Sequence, residues 1–404
     1  MPDQPTHPAA DKGPSATLIF VLALATGALV ANLYYAQPLV AQIAPAIGVE
    51  PDLAGSVVSV TQLGYGLGLF LLVSLADLIE NRKLVLVTLT GTIVGLCGMA
   101  ASTALVPFLI SSFLVGLCST AAQMLLPLTA QLVPAERRGQ VIGNVMAGLL
   151  TGIMLARPIS LFIAASFGWR TVFWCSAVLM AAIGLILARA LPRYRPAGGM
   201  GYGRVLASMT GLLRDLPPVR WRALYQMLLF AGFNMFWTAV PLALAERFGL
   251  GGHGIGLFAL AGAGGALAAP IAGRLADRGL THIATAAAMA VFGLAFYATG
   301  WAMAAMALAA MVVLTVIFDG TVQINQVVGQ RTIFSVPAGV RGRVNAIYMT
   351  ITFLGGALGS VLGTVTYHRG GWDLTSGVGG AIGLFALLLL AIELRGIKAR
   401  HGGG

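Results

Sequence analysis

The run ATLIFVLALATGALVANLYYAQPLVAQIAPA, residues 16–46, contains no Asp, Glu, Lys or Arg. An α-helix needs roughly 20 mostly apolar residues to cross a bilayer, and this run exceeds that. It also exceeds the 7–15-residue apolar core of a secretory signal. The residues before it are polar. The run therefore predicts a retained first membrane span.

The rest of the chain repeats the pattern. Of 404 residues, 58% are apolar and 9% charged, against about 25% charged in a soluble domain. A soluble fold of this size needs more polar surface than the sequence supplies. Spans are predicted near 17–46, 53–75, 84–102, 105–132, 139–165, 171–191, 222–246, 254–275, 281–300, 303–328, 343–367 and 374–395. The 53 glycines suit close helix packing in lipid. The fold class is an all-α membrane protein with twelve transmembrane helices in two six-helix bundles.

The net charge is +11. With the N-terminus in the cytoplasm, 20 Lys and Arg fall on the inner side and three, Arg170, Arg247 and Arg369, on the outer. That is the asymmetry of the positive-inside rule. It accounts for the basic balance with no nucleic-acid partner. Cys97, Cys118 and Cys175 lie in apolar stretches without metal-ligand spacing and read as small buried hydrophobes. No metal or cofactor is expected. The P-loop spacing of an ATP-driven pump does not occur, and no catalytic set stands out, so an enzyme is not expected.

The longest loop, 192–220, is basic and contains several Gly and Pro. It divides the chain into a tail 1–16, a bundle 17–191, a linker 192–220, a bundle 221–396 and a tail 397–404. The two bundles resemble each other. Leu75-Ala76-Asp77 recurs as Leu275-Ala276-Asp277. Arg138-Gly139, Val141, Met146 and Gly152 recur as Arg341-Gly342, Val344, Met349 and Gly355, and Gly168-Trp169 recurs as Gly371-Trp372. Ordered matches at a nearly constant offset indicate a duplicated six-helix unit with parallel repeats, a transporter arrangement that holds substrate between the halves near mid-membrane.

Charged residues inside spans are rare and usually functional. Arg157 in the fifth span lies about 25 Å from the inner end at 1.5 Å per residue, which places it in the outer half. Asp319 in the tenth is expected in the inner half, too far away for a direct ion pair. Arg157 suits an anionic solute or a structural contact. Asp319, the only acid away from the ends of a span, is the candidate proton carrier or a gating carboxylate. Phe230, Asn234, Trp237 and Pro241 share one face of the seventh span at i, i+4, i+7 and i+11. Asn32 and Tyr35 share a face of the first; Gln62 and Gln123 lie in the second and fourth. These are candidate substrate-binding residues, with interhelical hydrogen bonding as the alternative.

Gly273-Arg274-Leu275-Ala276-Asp277-Arg278-Gly279 resembles the loop signature of the major facilitator superfamily. Ser74-Leu75-Ala76-Asp77, running on to Arg82-Lys83, is its degenerate copy. Ala31-Asn32-Leu33-Tyr34-Tyr35-Ala36-Gln37-Pro38-Leu39 and Arg341-Gly342-Arg343-Val344-Asn345-Ala346 also resemble the bacterial drug and sugar efflux branch, the drug:proton antiporter-like members. The resemblance implies that Asp77 and Asp277, with Arg82, Arg274 and Arg278, form gating latches that favour the outward-facing state. In the fifth span, Gly148-x-x-x-Gly152 and Ala156-Arg157-Pro158 are similar to the family's antiporter signature, with Arg157 where a small residue is usual. Drug–proton relatives often carry an acid in the first or fourth helix, where this chain has Asn32, Gln37 and Gln123.

The function so implied is proton-coupled efflux of a small organic solute by alternating access, in a monomer of the inner membrane with both termini cytoplasmic. The expected partners are a small-molecule substrate, protons and the lipid bilayer. An importer or facilitator of a small metabolite is the first alternative. A membrane receptor or scaffold is the second, and would call for a soluble signalling domain.

Overall fold

The computed structural model describes residues 16–76, 78–193 and 201–401. Apolar runs in lipid must satisfy their own backbone hydrogen bonds, and they do so here as helices. The first half contains α1 (Ala16–Ala31), α2 (Val40–Ala46), α3 (Ser56–Leu75), α4 (Asn81–Ala101), α5 (Leu105–Ser119), α6 (Ala121–Leu132), α7 (Ala135–Phe167) and α8 (Trp169–Ala190). Then come α9 (Tyr202–Asp215), α10 (Pro217–Phe248), α11 (Gly252–Ala259), α12 (Ala261–Gly264), α13 (Ala268–Asp277), α14 (Thr281–Ala304), α15 (Leu308–Ile333) and α16 (Arg341–His401).

Among the described residues, ten helical stretches are long and apolar enough to cross a membrane. The last of these leaves helical geometry at Gly370 and Gly371, so it makes two traverses. Together with α1 and its broken continuation into α2, the count is consistent with twelve. The exterior is apolar: Phe20, Val94, Ile110, Val178, Leu294 and Leu384 are all exposed. Such a surface belongs in hydrocarbon.

Three expectations are corrected. The linker is not simply a loop, because α9 occupies half of it. Val205 and Met209 on α9 are buried, and Met209 packs with Ala346 and Ile347 of α16 beside Phe70 of α3. Its period of apolar residues was masked by the surrounding Gly, Pro and Arg. The break between the ninth and tenth spans lies at residues 305–307, where Met306 has a positive φ of 52°, not at Gly300-Trp301. Of the cysteines, Cys118 is buried but Cys175 is exposed on the apolar outside of α8.

The duplication is visible in the packing. Gly148 and Gly152 of α7 lie against Ala23 and Gly27 of α1; a Cβ on Gly152 would stand 2.6 Å from the Gly27 Cα. Gly355, Gly359 and Gly363 of α16 make the same close approach to Met227, Ala231 and Met235 of α10. Small residues thus let backbones meet at equivalent places in each half. Gly168 and Gly371, the recurring Gly-Trp pairs, have φ of +84° and +62°. Only glycine adopts such values without strain, and each turn delivers a buried Trp, Trp169 or Trp372.

The halves meet along α3 and α16. Thr364 Oγ1 donates to the Asp52 carbonyl (2.9 Å), Ser59 Oγ to that of Ala357 (2.5 Å) and Thr350 Oγ1 to that of Gly66 (3.0 Å). We call the end bearing α9 the inner end, after the charge asymmetry. At the outer end α7 meets α11, where a Cβ on Gly252 would stand 2.9 Å from the Ala165 Cβ. Beyond the Gly-rich break between α11 and α13 the two helices separate.

Gly152→Val should force α1 from α7 and cost about 1–3 kcal/mol by overpacking, read as a lower melting temperature in detergent. Gly143→Ala in the same helix, where a Cβ meets nothing within 4 Å, should leave that temperature unchanged or slightly raised.

Candidate functional site

After Ala31 the first span leaves α-helical geometry, passing through turns and the short 3-10 segment Gln37–Leu39 before α2. This break turns Tyr34 and Gln37 toward the second half. Arg157, 4% exposed on α7, reaches them there. Its Nε donates to Gln37 Oε1 at 2.9 Å. Its guanidinium carbon lies 4.9, 5.0 and 4.7 Å from the ring centroids of Tyr34, Phe233 and Trp237. These contacts are each worth about 0.5–2 kcal/mol and offset part of the cost of burying a cation. Arg157 Nη2 is buried without a hydrogen-bond partner.

Gln37 continues the chain of bonds into the other half. Its Nε2 donates to Asn234 Oδ1 (3.1 Å), to the Asn234 carbonyl (3.3 Å) and to Thr238 Oγ1 (3.2 Å). Gln62 Nε2 on α3 also donates to Asn234 Oδ1, at 3.1 Å. One layer of amides thus ties α7, the start of the second half at α10, and α3. On the outer side of this layer is a cavity of about 170 Å³, lined by Gln37, Thr238, Pro241, Ala245 and Ile255 among others. On the inner side lies a larger one of about 360 Å³.

Arg157 and Asp319 both line the larger cavity, which corrects the expected vertical separation. Arg157 lies ten residues from the outer end of α7, and Asp319 eleven from that of α15, so both are about 15–17 Å deep. The expectation failed because α15 starts at Leu308, five residues later than the sequence indicated. They do not form an ion pair: among the described residues those are Arg331–Asp277 and Arg369–Asp52. Trp237 stands between them instead, its ring beside Arg157 and its Nε1 donating to Asp319 Oδ1 at 3.1 Å. Gly262 and Gly265 make room for the carboxylate. A Cβ at Gly262 would stand 2.7 Å from the Trp237 ring and 2.9 Å from Asp319 Oδ2.

Gln123 and Phe230 line the same cavity, and Gln123 Nε2 donates to Tyr65 OH at 3.4 Å. Asn234, Gln62 and Trp237 lie just behind its wall. Asn32 and Tyr35 do not face it: Asn32 Oδ1 accepts from Ser176 Oγ of α8 at 2.5 Å. Helical phasing chose Tyr35, but the chain stops being helical at Asn32, and Tyr34 enters the wall instead. On α10 the cavity face is Gln226, Phe230 and Phe233, spaced i, i+4 and i+7. The same spacing was available in the sequence one turn earlier than the face chosen. Gln323, Gln326, Gln330 and Phe334 of the α15 end, with Asn345 and Met349 of α16, carry the lining to the inner end. Arg222, at the inner start of the seventh span, is buried in α10 and donates to Thr285 Oγ1 at 2.5 Å.

Of the gating residues, Asp77 lies outside the described residues. Arg82 donates to the Ala188 carbonyl at the end of α8. Asp277 pairs with Arg331 of α15, a residue of its own half, and both side chains are at least half exposed. An exposed pair of this kind is worth little. Arg274 and Arg278 are exposed, with no described bond to the first half.

Replacing Gln37 by Leu removes the amide that joins α7 to α10. Spin labels at Gln42→Cys and Ala245→Cys, across the outer cavity, should then show a longer-distance population by pulsed electron resonance. An unchanged distribution would mean that this layer does not hold the outer end shut.

Comparison with known proteins gives a consistent picture. The profile of the Major Facilitator Superfamily matches residues 19–334 and 226–402. The uncharacterized transporter YgaY of Escherichia coli O157:H7 is 38% identical over 379 residues, 93% of this chain and 95% of its own. The chloramphenicol resistance protein of Streptomyces lividans is 29% identical over 276 residues, 64% of this chain and 67% of its own. The crystal structure of a D-xylose-proton symporter superposes with a TM-score of 0.71 at 16% identity, over 93% of this chain and 97% of that one. On the profile match over nearly the whole length and the likeness to YgaY, the chain is a multi-pass membrane transporter and belongs to the major facilitator superfamily.

Proposed function

We propose that the protein is a proton-linked secondary transporter that expels a small organic solute by alternating access. The observation that carries this reading is the 360 Å³ cavity between the halves. It holds one buried cation and one buried carboxylate at its head, is closed outward by the amide layer, and is lined down to the inner end. Such a site serves one side of the membrane at a time. Rocking of bundle 17–191 against bundle 221–396 would exchange the sides.

Asp319 is the proton carrier in this reading, because it is the carboxylate that lines the cavity. Gln123, Phe230 and Arg157 contact the solute, with Asn234, Gln62 and Trp237 supporting them. The cavity is lined down to the inner end, and Asp277 pairs within its own half; the proposed latches, Asp77 with Arg82 and Asp277 with Arg274 and Arg278, would form when the inner end closes. The likeness to a chloramphenicol resistance protein supports outward transport. The charge count supports cytoplasmic termini in a bacterial inner membrane, and the site is complete within one chain, as in a monomer.

Inside-out vesicles test the reading with three probes: chloramphenicol, a neutral sugar and an aryl carboxylate. An acid interior should drive accumulation of at least one, collapse of the pH gradient should stop it, and Asp319→Asn should reduce the driven rate at least tenfold while sparing solute exchange. Accumulation indifferent to the pH gradient would instead identify a facilitator.

A further inference from the structure

Arg157 has more hydrogen-bonding capacity than the protein uses. It is 4% exposed, yet only Nε has a side-chain acceptor, and Nη2 is buried and unpartnered. No carboxylate lies within ion-pair distance of it among the described residues. A buried cation without a paired counter-charge is expensive to keep even with rings around it, and in a membrane interior such groups usually belong to transport paths. The planar fork of a guanidinium matches a carboxylate or sulfonate.

We infer that the transported solute is a singly charged organic anion, whose head is taken by Arg157 and whose apolar body lies on the wall below. This rests on the transporter reading given above. The wall suits such a body: Leu126, Met146, Ile153, Met154, Met349 and Phe353 line it, and the titratable side chains facing the cavity are Tyr34, Tyr65, Arg157 and Asp319. A second negative charge on the solute would meet Asp319 with no further cation among the described lining residues to balance it. Solute and outer closure also share one guanidinium. An anion that draws Arg157 from Gln37 loosens the amide layer that Gln37 holds to Asn234 and Thr238, so occupancy itself favours opening outward.

The test is thermal stabilisation of the purified protein by benzoate, cinnamate, octanoate and benzenesulfonate, each beside its primary amide. A ligand of the native state raises the melting temperature by mass action. At least one anion should give a shift of several degrees that its amide does not give. Arg157→Gln should weaken that anion at least tenfold. Arg157→Lys, which keeps the charge without the fork, should retain part of the affinity and serves if the glutamine variant does not fold. Anions that shift no more than their amides, or an anion shift that survives intact in both variants, would overturn the inference. Vesicle transport of a neutral solute indifferent to Arg157 would also overturn it while leaving the transporter reading in place. Anion binding with no pH-driven transport would support the inference and remove proton coupling alone.

Discussion

The hydrogen bond from Arg157 Nε to Gln37 Oε1 is the contact on which the organisation of the centre depends. It lies where the first span has given up its helix, so that a side chain from the first half can cross to α10. Through Gln37 it reaches Asn234 and Thr238, and through Asn234 it reaches Gln62. Helices from both halves therefore converge on one buried cation. The three rings around the guanidinium fix its position, and one of them, Trp237, carries the contact on to Asp319.

Around this centre the two halves are built alike. Each has a glycine-lined seam in which the first helix of the unit lies against the fifth, and each turns from fifth to sixth helix through a positive-φ backbone that only glycine adopts without strain. Close backbone approach holds each bundle rigid, since packed helices deform little. The boundary between bundles is mixed: hydrogen bonds such as Thr350 to Gly66 stand beside ring contacts such as Tyr65 with Phe353, and the rocking proposed above would take place there.

Most of the fold was legible because lipid imposes a strong code: long uncharged runs, basic inner loops and a duplicated pattern. The duplication was read from matches such as Gly152 with Gly355 and Gly168 with Gly371, and these positions carry the equivalent packing. The site was legible where polarity contrasts with its surroundings. Arg157, Asp319 and Gln123 stand out in apolar spans, and all three line the cavity. It was illegible where the backbone departs from a regular helix. Periodicity through Asn32 selected Tyr35 over Tyr34, and phasing α10 on Asn234 hid Phe233. The shared depth of Arg157 and Asp319 depended on a turn at residues 305–307 that no Gly or Pro announces. The partner of Asp277 is Arg331, more than fifty residues away, and no local spacing reveals such a pair.

The amide layer of Gln37, Asn234 and Gln62 lies between the outer and inner cavities. Amides can leave such a partition by changing rotamer, with little bending of the helices that carry them. In the proposed cycle, the step that admits solute to the outer cavity would also be the step that admits water. With the layer as the proposed outer gate, turnover and leakiness would be governed by the same few hydrogen bonds. Selection for faster cycling at this layer is selection against insulation of the membrane, and the strength of a glutamine–asparagine contact marks the compromise between the two.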